Sequence, residues 1–199
     1  MTDHDHDHDH DHHDDPRALR AEALEAILIE RGLVDPARVD GVLDYFEQQL
    51  GPQHGARLVA RAWTDPQFRA ELLRDGIGAM KSMDLGGPEV DHLVVVENTE
   101  QVHNVVVCTL CSCYPWALLG LPPAWYKSFA YRSRVVREPR AVLAEMGCQL
   151  DDDIEIKVWD SSAEVRYLVL PLRPAGTEGL GADALASLVG RDHMIGVAR

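Results

Sequence analysis

Three cysteines, Cys108, Cys111 and Cys113, stand within six residues of one another in the run VCTLCSCYPW, and a fourth, Cys148, is remote. A secreted disulfide framework spreads its cysteines along the chain, so this clustering points to metal or redox chemistry. Sulfurs at C-x-x-C-x-C spacing can face one centre, and thiolates suit zinc, copper(I), iron–sulfur clusters and trivalent cobalt or iron. A structural zinc site needs four protein ligands, normally in two separated pairs. Here the fourth would be Cys148, His103 or His92, each alone in sequence. An iron–sulfur cluster also wants four cysteines, and the Cys148 spacing matches no common pattern. A redox C-x-x-C pair belongs at the start of a helix in a βαβ context, which is weak here. A further arrangement uses the backbone. The deprotonated amide nitrogens of Ser112 and Cys113 would complete a square plane with the sulfurs of Cys111 and Cys113. Cys108 would then be axial and a sixth position open, where a low-spin trivalent ion could act as a Lewis acid. Spacing permits each of these.

The elements that must position the cysteines follow from periodicity. Helices are expected over 17–31, with Leu19, Ala23, Leu24, Ile27 and Leu28 on one face, and from Asp35-Pro36, with Val39, Val42, Leu43, Phe46 and Leu50. A third helix should carry Leu58 and Trp63, and a fourth, opening at Asp65-Pro66, should carry Phe68, Leu72, Leu73, Ile77 and Met80. After Gly86-Gly87-Pro88 the pattern changes: 92–99 and 102–109 are rich in Val and read as strands, the second leading straight into the cysteine loop. Pro122-Pro123 opens a helical stretch rich in Trp, Tyr and Arg, and Glu138-Pro139 starts a helix that Gly147 ends. Strands are expected over 153–159 and 165–170, a short helix over 182–189 and a last strand over 194–198. The sum is an α+β protein in three parts: a disordered tail over 1–15, a helical N-terminal region over 16–85, and an α+β metal-binding domain of strands flanked by helices over 86–199. Part of the helical region should be an arm that embraces another subunit.

The tail MTDHDHDHDHDHHDDP has six His and seven Asp in residues 1–15 and nothing apolar after Met1, so it cannot form a core. It is either a solubilising extension or a tract that gathers transition-metal ions. It also holds half of the formal net charge of -14. An acidic chain is a poor match for a phosphate backbone, so no nucleic-acid partner is expected. There is no apolar run of eighteen residues and no basic-then-apolar leader at the start, so no membrane span and a cytoplasmic location are expected. Between Asn104 and Tyr126 there is no Lys or Arg. Cations for a negatively charged cysteine site must come from a partner, or from Lys127, Arg132 or Arg134 folding back.

The run VHNVVVCTLCSCYPW, continued by LGLPPAWYKSFAYRSRVVREPR, by DIEIKVWDSSAEVRYLVLPLRPAGTEG and by MIGVA, resembles the α-subunit of nitrile hydratases over roughly residues 35–199. The tail lies outside the likeness. The resemblance implies hydration of a nitrile to an amide at one trivalent metal ion, held by the sulfurs of Cys108, Cys111 and Cys113 and the backbone nitrogens of Ser112 and Cys113. It also implies a sulfinic acid at Cys111 and a sulfenic acid at Cys113, with Cys113 and Cys111 as the catalytic residues. Thr109 between the first two ligands, with Tyr114, marks the cobalt(III) type, whereas iron(III) members carry Ser at that place. Trp116 resembles a pocket aromatic, and Asp160, Glu164 and Arg166 resemble polar residues that orient the site or its interface. Glu89 stands near where the family often has Gln. The partners implied are one or more β-type subunits, whose arginines hold the oxidised sulfurs, a metallochaperone or activator, and a small nitrile; alone, the chain would self-associate. The competing readings are the metal-binding subunit of a thiocyanate hydrolase, which shares the claw, and a zinc-binding interaction module without catalysis.

Overall fold

The computed structural model describes residues 16–45, 51–85, 92–111 and 113–199. The expectations for the tail, for Phe46 and Leu50, for Glu89 and for Ser112 lie outside the described residues. The chain divides into two compact units, one ending at Asp44 and one running from Tyr45 to Arg199.

The first unit holds α1 (Pro16–Glu30) and α2 (Pro36–Asp44), joined through residues 31–35. Gly32 turns the corner at φ 66°, where a side chain would be strained, and Leu33 N–H donates back to Leu28 C=O at 2.9 Å. Asp35 caps α2 by accepting from Ala37 N–H at 3.1 Å. The apolar stripes expected from the sequence are present but open: Leu24 is 62% exposed, Leu19 49% and Val42 55%.

The second unit holds α3 (Pro52–Thr64), α4 (Pro66–Arg74), α5 (Gly76–Ser82), β1 (Leu93–Glu97), β2 (Val102–Val107), α6 (Trp116–Leu119), α7 (Ala124–Lys127), α8 (Phe129–Arg134), α9 (Pro139–Glu145), β3 (Glu155–Asp160), β4 (Arg166–Leu170), α10 (Ala182–Ala186) and α11 (Arg191–Ile195). This is the expected α+β class. The strands form two parallel pairs, β1 with β4 and β2 with β3. In the second, Val102 stands opposite Glu155 and Val107 opposite Asp160. Parallel partners need a long crossover, and α6 to α9 supply it. Helices α4 and α5 pack on β1, α9 packs on β3, and β2 approaches both strands of the other pair, so the strands lie between helices. The core includes Leu58, Leu72, Val105, Val107, Leu118, Leu143 and Leu168, each fully buried. Among the described residues no helix is long and apolar enough to cross a membrane.

Two elements differ from the sequence expectation. The fourth helix is two, because Asp75 leaves helical geometry and caps α5 by accepting from Gly78 N–H at 2.9 Å. The expected last strand is α11 and a turn. Its short apolar run is fully buried, and such a run has no periodicity to separate strand from helix. Gly196 ends α11 at φ 89°, and Asp192 C=O accepts from the N–H groups of Gly196 and Val197 at 3.0 and 2.9 Å.

That turn lies directly on β2. Gly196 C=O accepts from His103 Nε2–H at 2.7 Å, which leaves Nδ1 to accept from Asn98 at 3.4 Å. Burial holds the His103 imidazole below its ordinary range; the Gly196 carbonyl opposes this and the Arg199 charge adds to it. Asn98 Oδ1 accepts from Asn104 N–H at 2.7 Å, Asn104 Nδ2–H donates to Glu97 C=O at 2.7 Å, and Trp159 Nε1–H donates to Asn104 Oδ1 at 2.8 Å. One buried network thus ties β1, β2, β3 and the C-terminal turn together.

A Cβ on Gly196 would stand 2.0 Å from Asn104 C=O, in a conformation L residues rarely adopt. Gly196→Ala is therefore expected to cost about 2–4 kcal/mol, read as a lower urea midpoint. An unchanged midpoint would show that the turn is not held against β2.

Candidate metal centre

Strand β2 delivers the first cysteine. Val107 is its last residue, Cys108 follows fully buried, and the parallel register sets Asp160, the last residue of β3, beside that exit. Ser161 N–H extends the ladder by donating to Val107 C=O at 2.7 Å. Asp160 then holds the first loop residue twice: Thr109 N–H donates to Oδ1 at 2.9 Å and Thr109 Oγ1–H to Oδ2 at 2.6 Å. The chain turns so that Cys111 N–H points at Cys108 Sγ, 3.3 Å away.

The result is a convergence of sulfurs. Cys108 Sγ and Cys111 Sγ lie 3.5 Å apart, and Cys111 Sγ and Cys113 Sγ 3.2 Å. All three fall within 4.8 Å of one another. A disulfide would need about 2.05 Å, and all four cysteines are thiols. With metal–sulfur bonds of about 2.3 Å, sulfurs at right angles on one ion lie about 3.3 Å apart and at the tetrahedral angle about 3.8 Å. The 3.2 Å spacing matches the right-angled case and the 3.5 Å spacing falls between the two, so the sulfurs fit one thiolate-bound ion. Cys148 is elsewhere, buried, with Sγ 4.0 Å from His103 Nε2.

Without a cation Cys113 resists ionising. Burial pushes the Cys113 thiol up to about 12, with the neighbouring sulfurs of Cys111 and Cys108 adding to it. Arg166 pulls the other way. A multivalent cation would relieve this repulsion.

The structure brings some of the expected second layer to the claw and leaves some away. Asp160 and Thr109 bond each other at its start. Arg166, half-buried at the start of β4, donates to Ser162 C=O and acts on Cys113. Trp116 opens α6, three residues beyond Cys113, and packs half-buried on the core. Glu164 is exposed in the β3–β4 turn, where its backbone N–H donates to Ser162 Oγ at 3.3 Å. Of the basic residues that could fold back, Arg132 does so, donating to Cys111 C=O at 3.4 Å. Arg134 instead binds Glu138 and Glu145, each at 2.7 Å. Arg132 and Arg166 each keep a buried Nε with no hydrogen-bond partner among the described residues.

Sequence reading missed a tyrosine group behind the loop. Tyr126 Oη–H donates to Cys113 C=O at 3.0 Å, and Tyr131 Oη–H donates to Val106 C=O at 2.7 Å. Tyr114 packs edge-on to Tyr126, with ring centroids 5.2 Å apart. The aromatic density of AWYKSFAYRSR, so soon after the cysteines, was the available signal.

Parallel strands that hand three converging cysteines to one point define a metal-binding α+β chain. The family model described as nitrile hydratase, alpha chain, matches residues 15–198. The low-molecular weight cobalt-containing nitrile hydratase subunit alpha of Rhodococcus rhodochrous is 56% identical over 181 residues, covering 91% of this chain and 87% of that one. The thiocyanate hydrolase subunit gamma of Thiobacillus thioparus is 43% identical over 187 residues, covering 88% and 76%. Among solved structures, a double mutant of the iron-type nitrile hydratase of Comamonas testosteroni superposes with a TM-score of 0.83 at 45% identity, covering 93% of this chain and 91% of that one. The chain belongs to the nitrile hydratase α-chain family.

The Asp160–Thr109 pair is open to a double-mutant cycle. Asp160→Ala and Thr109→Val should each lower the thermal midpoint, and the double variant should recover about 1 kcal/mol of the summed cost. Strict additivity would mean that the carboxylate does not hold the loop.

Proposed function

We propose that this chain is the catalytic α-subunit of a nitrile hydratase, adding water across a nitrile to give the amide at one low-spin cobalt(III) per chain. The observation that carries this reading is the convergence of three sulfurs within 4.8 Å at the ends of β2 and β3, in a chain of this family. Cys108, Cys111 and Cys113 would hold the ion through sulfur, and Ser112 and Cys113 through backbone nitrogen. When bound, the ion supplies Lewis acidity, toward the nitrile nitrogen or toward water. Cobalt rather than iron is supported by Thr109 and by the cobalt-containing relative; the iron-type neighbour keeps iron(III) as the alternative.

The chain's own residues divide the work. Cys108 is fully buried, Cys113 is half-buried and Cys111 is exposed. Oxidation follows access to oxidant, so this gradient supports a lasting thiolate at Cys108, with a sulfinic acid at Cys111 and a sulfenic acid at Cys113. The Cys113 oxygen is then placed to act as nucleophile or base. Arg132 and Arg166 would draw these oxygens with their Nε–H groups, which have no partner among the described residues; for this charge the sequence offered a partner or Lys127, Arg132 and Arg134. Trp116 would wall the substrate pocket, and Asp160 holds the loop. Glu89 and Glu164 would line or orient the approach.

A β-type subunit would complete the site. Leu110 is 86% exposed at the claw and Phe129 79% exposed on α8, while α2 buries none of its residues. Apolar surface of this kind marks interfaces. A metallochaperone or activator would load the metal, and the same surface would drive self-association of the lone chain.

Elemental analysis of the complex matured with its β-type subunit should give about one cobalt per chain. Cys108→Ala, Cys111→Ala and Cys113→Ala should each abolish cobalt retention and nitrile hydration, whereas Cys148→Ala should keep both. Stoichiometric zinc with reduced thiols would overturn the reading, and turnover of thiocyanate without nitrile hydration would assign the relative's reaction instead.

The chain purified alone should hydrate nitriles at a small fraction of the rate seen once the β-type subunit is added. Full turnover alone, unchanged on addition, would show a site complete within this chain.

A further inference from the structure

We infer that Tyr126 is a positioning residue of the metal centre: its hydroxyl, by holding the Cys113 carbonyl, sets the direction in which the Cys113 sulfur faces the other two. The inference rests on the reading of the claw as the metal centre and concerns what holds its third limb.

The three limbs are anchored differently. Cys108 follows a strand, flanked by the Ser161–Val107 ladder bond and by Asp160 on Thr109. Cys111 has its N–H on Cys108 Sγ and its carbonyl on Arg132. Cys113 has left the sheet, and its carbonyl is bound by Tyr126 Oη–H at 3.0 Å. That carbonyl lies in the peptide plane joining Cys113 to Tyr114, so fixing it fixes the backbone rotation that aims the Cys113 side chain. The sulfur it aims is 3.2 Å from Cys111 Sγ, close enough for a small rotation to change the ligand geometry.

Tyr126 is itself held in one place. It is fully buried, edge-on to Tyr114 on one side and 5.9 Å from the Tyr131 ring on another. Its single phenol hydrogen is given to Cys113 C=O. The end of β3 steadies the first limb, where Ser161 N–H donates to Val107 C=O, and Tyr126 steadies the third.

Tyr131 provides the control. Its buried hydroxyl also donates to a backbone carbonyl, Val106 at 2.7 Å, but inside β2, where the ladder to β3 already fixes the chain. Removing either hydroxyl deletes one buried hydrogen bond, and only one of the two bears on a cysteine outside the sheet.

The test compares wild type, Tyr126→Phe and Tyr131→Phe, each matured with the β-type subunit at limiting cobalt. Cobalt content, the sulfur-to-cobalt charge-transfer absorption and the thermal midpoint are measured. Both variants should melt lower. Tyr126→Phe should in addition hold at least threefold less cobalt and show a displaced absorption band, while Tyr131→Phe keeps the wild-type band and content. A Tyr126→Phe band and cobalt content equal to wild type would overturn the inference alone, and so would equal losses in both variants. A wild-type complex that takes up no cobalt would remove the metal-centre reading and the inference with it. If Tyr126→Phe is not recovered folded, 3-fluorotyrosine incorporated at position 126 changes the donor strength of the same hydroxyl with the ring in place. It should displace the band from the wild-type position, and an undisplaced band would count against the inference.

Discussion

Three thiol sulfurs held 3.2 and 3.5 Å apart form an arrangement the polypeptide does not favour by itself. The two neighbours raise the cost of ionising Cys113, and a loop of six residues has ample freedom to splay them. Much of the second unit can be understood as what denies it that freedom. The parallel register of β2 and β3 brings the two strands to their carboxyl ends together, Val107 beside Asp160. Sites in parallel sheets gather at such ends because the loops there are free to carry function while the strands are not. Here the loop of one strand carries the sulfurs and the end of the other carries the carboxylate that grips it.

The strands need their own anchor, since a pair of two strands is marginal alone. The buried network of Asn98, His103, Asn104 and Trp159 supplies part of it. Asn104 joins β1 to β2 and receives the indole of β3, and His103 fastens the Gly196 turn to the strand that leads to Cys108. Buried polar groups are costly when partly satisfied and specific when fully satisfied. This network therefore fixes which strands meet and in what register, more than it adds net stability.

The sequence carried the claw openly because its chemistry is local: three cysteines and Thr109 are neighbours in the chain. The strands were equally legible, since valine runs bounded by turn residues have few other readings, and Asp160 stood out through its motif. Tyr126, Tyr131 and Ser161 were not legible in these roles, because what each does depends on a contact 13, 25 or 54 residues away that only the fold creates. Arg132 was in view as one of three candidates, but nothing in spacing could tell it from Arg134, which the structure spends on Glu138 and Glu145. The mistaken last strand has the opposite cause. Met194, Ile195 and Val197 are each buried, and an apolar run buried on all sides has lost the periodicity by which helix and strand are told apart.

The burial gradient across the claw gives the site a direction. Its inner end, Cys108, is sealed by the strands and the tyrosines; its outer end, Cys111, faces outward beside an exposed Leu110. A chain that meant to bury its metal completely would have closed that side with its own side chains, as it does at Cys108. Arg132 and Arg166, which bear on Cys111 and Cys113, keep Nε–H groups with no partner among the described residues, which is unfavourable unless an acceptor arrives there. Oxygens added to the outer two sulfurs would be such acceptors, and a covering apolar surface would strengthen those bonds by excluding water. Apolar rim, donors without a partner among the described residues and an exposed Cys111 therefore lie on the same side of the site, the side that the proposed oxidation and partner contact would use.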